Sequence, residues 1–175
     1  TIIRTYDGGN NWTQLIVPVN NYLNAIKFFD ENRGIVAGYD GLILITSNGG
    51  NSWQVSTSNT ANSLFGLSIS GPNEAFVSGD AGTVLYTNDR GIIWVHRDAG
   101  LPYTLKSIFF ADINTGYACG QNGTIVKSTN KGMSWVLQNS GVSYEVTSVS
   151  FSGLNTGIAI GDYGTILKTV DGGQS

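Results

Sequence analysis

Charge is scarce in this chain: Asp, Glu, Lys and Arg make up only 12% of 175 residues, 12 acidic against 9 basic. The basic side chains are scattered singly, which excludes the clustered Lys and Arg that a nucleic-acid backbone requires, and no nucleic-acid partner is expected. Cysteine is reduced to Cys119, so no disulfide framework can form; flanked by Tyr117 and Ala118, it reads as a buried structural thiol. With His96 the only histidine, neither a multi-histidine metal site nor a Ser/His/Asp triad can be assembled, and no metal or other cofactor is expected. Apolar runs never approach the roughly 20 residues that span a bilayer as a helix, so no membrane span is expected. The opening Thr1–Thr5 resembles neither a start nor a signal peptide, which suggests a mature or excised segment.

What the chain has in plenty is glycine, 24 residues, beside 41% apolar content, the composition of a globular, turn-rich and therefore strand-rich protein. Its organisation is a repeat. Trp12, Trp53, Trp94 and Trp135 follow one another at intervals of 41 residues. The glycine pairs Gly38/Gly41, Gly79/Gly82, Gly120/Gly123 and Gly161/Gly164 keep the same phase, as do Asn32, Asn73, Asn114 and Asn155. Equal spacing without insertions places every copy in the same environment, as in a ring or solenoid. The chain is therefore expected to form one repeat domain over 1–175, divided as 1–41, 42–82, 83–123, 124–164 and a partial copy, 165–175.

Within a copy, Leu23 to Phe29 alternates apolar and other residues, and its apolar columns read Ile26, Leu67, Ile108, Val149 and then Phe28, Ile69, Phe110, Phe151. Period two is a strand. The opposite column, Ala25, Gly66, Ser107 and Ser148, is small, which suits an innermost strand at a crowded axis. An Asn-containing loop, a short apolar strand such as Gly116 to Cys119, and a hairpin follow. The two-residue hairpin links are expected at Tyr39-Asp40, Asp80-Ala81, Gln121-Asn122 and Asp162-Tyr163. A third strand such as Thr124 to Ser128 leads to the pattern that opens as Thr5-Tyr6-Asp7-Gly8-Gly9-Asn10-Asn11-Trp12.

That pattern, Ser/Thr-x-Asp-x-Gly-x-x-Trp, resembles the Asp-box of sialidases, sortilin-type domains, some endoglucanases and the photosystem II assembly factor Ycf48 and its bacterial relatives. Its residues are Asp7, Gly9 and Trp12; Asn48, Gly50 and Trp53; Asp89, Gly91 and Trp94; Asn130, Gly132 and Trp135; and Asp171 and Gly173. The uninterrupted period and the run Gly164 to Gly173 resemble Ycf48-type repeats most, over the whole chain. The resemblance implies an all-β fold, a β-propeller of 41-residue, four-stranded antiparallel blades with four blades' worth of strands here. The ends repeat each other at an offset of 164 residues, four periods. Both a four-bladed ring with one duplicated strand and an arc of a larger propeller satisfy that arithmetic; the arc is favoured, and its open edges invite self-association.

The box reads as structural, its Asp or Asn accepting backbone hydrogen bonds and its Trp packing between sheets. Asn48 and Asn130 argue against charge-dependent chemistry there, and one carboxylate per box is too few for calcium. The hairpin tips and blade links share the opposite face, where the copies differ most: Tyr39, Asp40, Asp80, Tyr103, Gln121, Tyr144, Asp162 and Tyr163 are the candidate binding residues. No catalytic constellation emerges. Arg4, Arg33, Arg90 and Arg97 occupy unrelated points of the repeat, which disfavours a sialidase, and Glu31, Glu74 and Glu145 do likewise for a paired-carboxylate glycosidase. The resemblance implies an exported scaffold, secreted, periplasmic or lumenal, that binds a protein. The alternative is a propeller segment of a larger extracellular adhesin or carbohydrate-active protein with a glycan ligand; an Asp-box glycosidase ranks last.

Overall fold

The computed structural model of the chain describes residues 1–175. Every period of the repeat becomes an antiparallel sheet whose strands pair in sequence order. The first sheet holds β1 (Ile2–Arg4) and β2 (Thr13–Leu15). The second holds β3 (Leu23–Phe28), β4 (Gly34–Gly38), β5 (Ile43–Thr46) and β6 (Gln54–Ser56). The third runs β7 (Leu64–Ile69), β8 (Ala75–Gly79), β9 (Val84–Thr87) and β10 (Val95–His96). The fourth runs β11 (Leu105–Phe110), β12 (Gly116–Gly120), β13 (Ile125–Ser128) and β14 (Val136–Gln138). The fifth has β15 (Val146–Phe151), β16 (Gly157–Gly161) and β17 (Ile166–Thr169). Inner strands β3, β7, β11 and β15 stand side by side, and the whole is a partial β-propeller.

Each sheet is apolar on both faces, so its core lies between it and its neighbours rather than inside it. Ile35 and Ile43 of the second sheet meet Leu67, Val77 and Leu85 of the third, with Trp94 at the corner. Phe76 and Val84 of the third meet Ile108, Ala118 and Val126 of the fourth. Tyr117 and Cys119 of the fourth meet Val149 and Ala159 of the fifth. Ser68 and Ser107 on the inner strands lend hydroxyls across these seams, accepting from the amides of Phe110 at 3.0 Å and Val149 at 3.4 Å.

The same stacking explains where apolar residues stay exposed. Leu67, Ile108 and Val149 are buried, but their equivalent Ile26 and its neighbour Phe28 are exposed, because the first sheet contributes only its two outer strands and nothing covers β3. Trp53 and Trp94 are buried against the preceding sheet, whereas Trp12, with no preceding sheet, is 56% exposed; the expectation that every Trp packs between sheets fails there. At the other end Ile158, Ile160 and Ile166 face solvent.

The hairpin links lie one residue later than expected. Both central residues have positive φ, Asp40 and Gly41, Ala81 and Gly82, Asn122 and Gly123, Tyr163 and Gly164. Thr83, Thr124 and Thr165 donate their amides back to Asp80, Gln121 and Asp162, closing type I′ turns whose twist matches that of the strands. Each glycine is thus the second turn residue, and Tyr39, Asp80, Gln121 and Asp162 are the corner residues before the turn.

One cross-strand pair fixes the start of every second strand. Phe28, Phe110 and Phe151 lie opposite Gly34, Gly116 and Gly157, with their rings folded over the glycine, where an added Cβ would meet ring carbons at 2.9, 2.5 and 2.6 Å. In the third sheet the pair is Ile69 and Ala75: where the ring is missing, the methyl is present. Gly116→Ala alone is expected to cost about 1–3 kcal/mol by overpacking, and Phe110→Ile in the same chain to recover a large part of it, measured by chemical denaturation. An unchanged midpoint for the single variant would remove this reading.

Cys119 is fully buried, and burial, aided by the charge of Glu145, pushes its thiol up to about 12. It is expected to resist a thiol-specific reagent in native buffer and to react in denaturant, with the rate of modification as the readout.

Candidate protein-binding face

The two faces of the arc are built differently. On one, the Thr-x-Asp turn is closed by side chains. The hydroxyl of Thr5, Thr46, Thr87, Ser128 or Thr169 accepts the amide four residues on, at 2.8–3.0 Å, and donates to the Asp or Asn side chain two residues on. Asp7 then accepts from Asn11, Asp89 from Ile92 and Ile93, and Asp171 from Gln174 and Ser175. Asn48 and Asn130 accept from Ser52 and Ser134 in the same way, and their amide NH2 groups donate to the serine hydroxyls, so a neutral side chain fills the acidic position without loss. The turn is tied to the neighbouring loop: the carbonyls of Asn32, Asn73, Asn114 and Asn155 accept the amides of Gly49, Arg90, Lys131 and Gly172. Gly9, Gly50, Gly91 and Gly173 all have φ between +85° and +96°, and Gly132 has +73°.

The opposite face carries the candidate residues, and the structure divides them. Asp80 accepts the Thr104 hydroxyl at 2.7 Å and Gln121 accepts the Thr104 amide at 3.1 Å, so both hold the entry of β11. The carbonyls of Tyr103 and Tyr144 accept the amides of Gly82 and Gly123, tying blade links to hairpin tips, while their rings remain accessible. Asp40 accepts from Asn21 at 3.0 Å, and Asp162 is exposed. Tyr39 lies 5.2 Å from Tyr22 and edge-on to Phe65 at 5.9 Å; Tyr144 lies 4.7 Å from Tyr163.

Between these two aromatic clusters stand residues that sequence reasoning missed. Every inner strand skips one residue in its pairing with the second strand, a β-bulge at Asn24, Phe65, Lys106 and Thr147. Bulges re-aim side chains. The Lys106 ammonium sits 4.5 Å over the Phe65 ring and 4.0 Å from the Glu145 carboxylate. A strip thus runs Tyr22, Tyr39, Phe65, Lys106, Glu145, and the Glu145 backbone carbonyl accepts the amide of Asp162 beside Tyr163. The signal was present in the sequence: in a strand of otherwise constant pattern, this column reads Asn, Phe, Lys, Thr.

The arginines stay apart from this strip. Arg4 stacks on Tyr6 and Arg97 on Tyr86, while Arg33, paired with Asp30, and Arg90 line one groove on the Thr-x-Asp face. His96 contacts Asp98 on an outer strand.

Repeated four-stranded sheets stacked by their faces, with a constant turn on one side and variable tips on the other, define a β-propeller repeat protein. The chain belongs to the family described as Photosynthesis system II assembly factor YCF48, which matches residues 4–102. None of the curated proteins matches it. Among solved structures, YCF48 from Cyanidioschyzon merolae is similar at 26% identity and a TM-score of 0.72, over 93% of this chain and 57% of that one. A structure described as YCF48 bound to D1 peptide is similar at 20% identity and a TM-score of 0.69, over 83% of this chain and 48% of that one. A GH74 xyloglucanase from Xanthomonas campestris shares the fold at 10% identity and a TM-score of 0.73, over 94% of this chain and 31% of the enzyme. The chain therefore spans about half the length of the two YCF48 structures. No helix is long and apolar enough to cross a membrane.

The hydrogen bonds around Asp7, from Asn11 above all, hold its carboxyl down at about 2, and those from Ser175 and Thr169 lower that of Asp171. Their contribution is complete above the unfolded value near 4 and is lost as pH falls through the folded values. Asp7→Asn with Asp171→Asn is expected to keep the turns, as Asn48 and Asn130 do, and to flatten the fall of the melting temperature below about pH 4. A double variant as acid-sensitive as the parent chain would place that sensitivity elsewhere.

Proposed function

We propose that the chain is a non-catalytic binding module of the YCF48 assembly type that engages a peptide segment of a protein partner through its hairpin-tip face. The observation that carries this reading is the strip from Tyr22 to Glu145: three accessible rings in contact, followed by a cation and an anion that pair at only 4.0 Å and remain partly exposed. Exposed aromatic anchors beside a partly solvated charge are what interface centres are made of. The other candidates contribute at the edges, with Tyr144 and Tyr163 as a second anchor and Asp40 and Asp162 as rim groups, while Asp80 and Gln121 shape the face from beneath.

Family membership supports the assembly role and, with it, export to a secreted, periplasmic or lumenal compartment. Residues 1–175 are read as one repeat domain. The peptide in the related YCF48 structure suggests the first probe. Labelled D1 peptide is expected to bind the chain, and Tyr39→Ala and Phe65→Ala each to weaken binding about tenfold or more with the melting temperature unchanged. Absence of binding, or equal binding by both variants, overturns the site. The aromatic ledge of Tyr22, Tyr39 and Phe65 also suits the flat face of a sugar, and that second reading is tested by β-glucan binding with the same variants.

A further inference from the structure

The hairpin-tip face and the Thr-x-Asp face divide the charges of the chain unequally. Five carboxylates stand at the tips: Asp40, Asp80, Asp98, Glu145 and Asp162. Asp98, beside His96, is held there by the Val84 amide, which opens β9 just after a tip and donates to it at 3.1 Å. Of the nine Lys and Arg side chains, only Lys106 joins them. The four guanidiniums go to the other side: Arg4 donates to Asn51, Arg33 to Asp30, Arg90 to the Pro72 carbonyl, and Arg97, lying over Tyr86, to the Lys131 carbonyl. Lys131 lies in the fourth Thr-x-Asp turn, and Lys27, Lys127 and Lys168 are the next-to-last residues of β3, β13 and β17, which run toward that side.

Three of the tip carboxylates stand next to aromatic rings. Asp40 follows Tyr39, whose ring lies 5.2 Å from that of Tyr22. Glu145 follows Tyr144 and Asp162 precedes Tyr163; the two rings are 4.7 Å apart, and the Asp162 amide donates to the Glu145 carbonyl at 2.9 Å. A ring face beside a carboxylate is complementary to a cation, which the ring attracts through its quadrupole and the carboxylate through its charge. The face holds its own example in Lys106, whose Nζ lies 4.5 Å over Phe65 and 4.0 Å from Glu145. At 4.0 Å the pair is too long for a hydrogen bond, so Glu145 keeps acceptor capacity for a second donor. No cation of the chain lies over Tyr22, Tyr39, Tyr144 or Tyr163, and none pairs with Asp40 or Asp162.

We infer that the hairpin-tip face takes a basic segment of its protein partner. Lys or Arg side chains of that segment meet Tyr22, Tyr39 and Asp40 at one end and Tyr144, Tyr163 and Asp162 at the other, as Lys106 meets Phe65 and Glu145 between them. The inference rests on the tip face being the binding face and adds the sign of charge that this face selects. Asp80, bonded to Thr104, and Asp98, on an outer strand, stand off the line of rings and act through the field, which draws a cationic segment toward the tips.

Fluorescence anisotropy tests this with three labelled peptides that share one apolar sequence and carry two lysines, two glutamines or two glutamates. The lysine peptide is expected to bind about tenfold or more tightly than the glutamine peptide at low salt, the glutamate peptide to bind most weakly, and the lysine advantage to shrink as salt is added. Asp40→Asn with Asp162→Asn is expected to erase that advantage and to leave the melting temperature and the affinity for the glutamine peptide unchanged. Lys106→Gln, which frees Phe65 and Glu145, is expected to tighten binding of the lysine peptide about threefold. Equal binding of the three peptides, tightest binding of the glutamate peptide, a lysine advantage that survives the double variant, or weaker binding of the lysine peptide by Lys106→Gln each overturns the inference. In those cases Tyr39→Ala still weakens the peptides, and the tip face stands as a binding face. If none of the peptides binds, the face itself falls and the inference with it.

Discussion

No sheet in this protein can bury its own apolar faces, and that constraint governs the rest. A four-stranded antiparallel sheet of this size is stable only when another sheet lies on it, and here both faces of the middle sheets are apolar. Buried strands such as β8 and β12 consequently lack the polar side that a half-exposed strand has. The same residues change status purely by position: Leu67 and Ile108 are core, Ile26 is surface, and nothing in their local sequence distinguishes them.

Stacking fixes distances between sheets but leaves the ends of the strands to be set by turns. The Thr-x-Asp turn does this with a short cycle of hydrogen bonds that uses the side chain as acceptor, not as charge, which is why Asn48 and Asn130 substitute for Asp without rearrangement. Acidity then becomes a property of individual copies. Asp7 and Asp171, in the first and last turns, carry the acid-sensitive hydrogen bonds, while the second and fourth turns are neutral by composition.

Much of this was legible beforehand because the repeat made each position a fourfold observation. Strand order, the inner strand and the division into two faces follow from columns such as Ile26, Leu67, Ile108, Val149. The hairpin register did not, because Gly-x-x-Gly offers two placements of a two-residue link; the deciding fact is that a type I′ turn needs positive φ at both centres, which puts glycine second and tolerates Asp40, Ala81, Asn122 or Tyr163 first. The bulges were hidden for a different reason. Alternation through Leu23, Ala25 and Ile26 breaks by one residue, and a single break in a six-residue strand reads as a small inner column, not as a side chain turned out to the face. Asp80 and Gln121 were variable for structural reasons, each holding Thr104 by a different bond.

Variation at the bulge column bears on what kind of site the face can be. A residue extruded from a paired strand is held by its neighbours in the ladder, so Asn24, Phe65, Lys106 and Thr147 vary without moving the fold. Such a column can change ligand preference blade by blade, whereas catalysis needs several groups converging on one reacting atom. The groups that do converge here are rings and one loosely paired charge couple, arranged in a line. On the proposed reading that line meets an extended chain with apolar side chains and an accessible charge, and affinity accumulates over contacts instead of depending on a single pocket. Loss of one ring should therefore weaken a ligand without abolishing it.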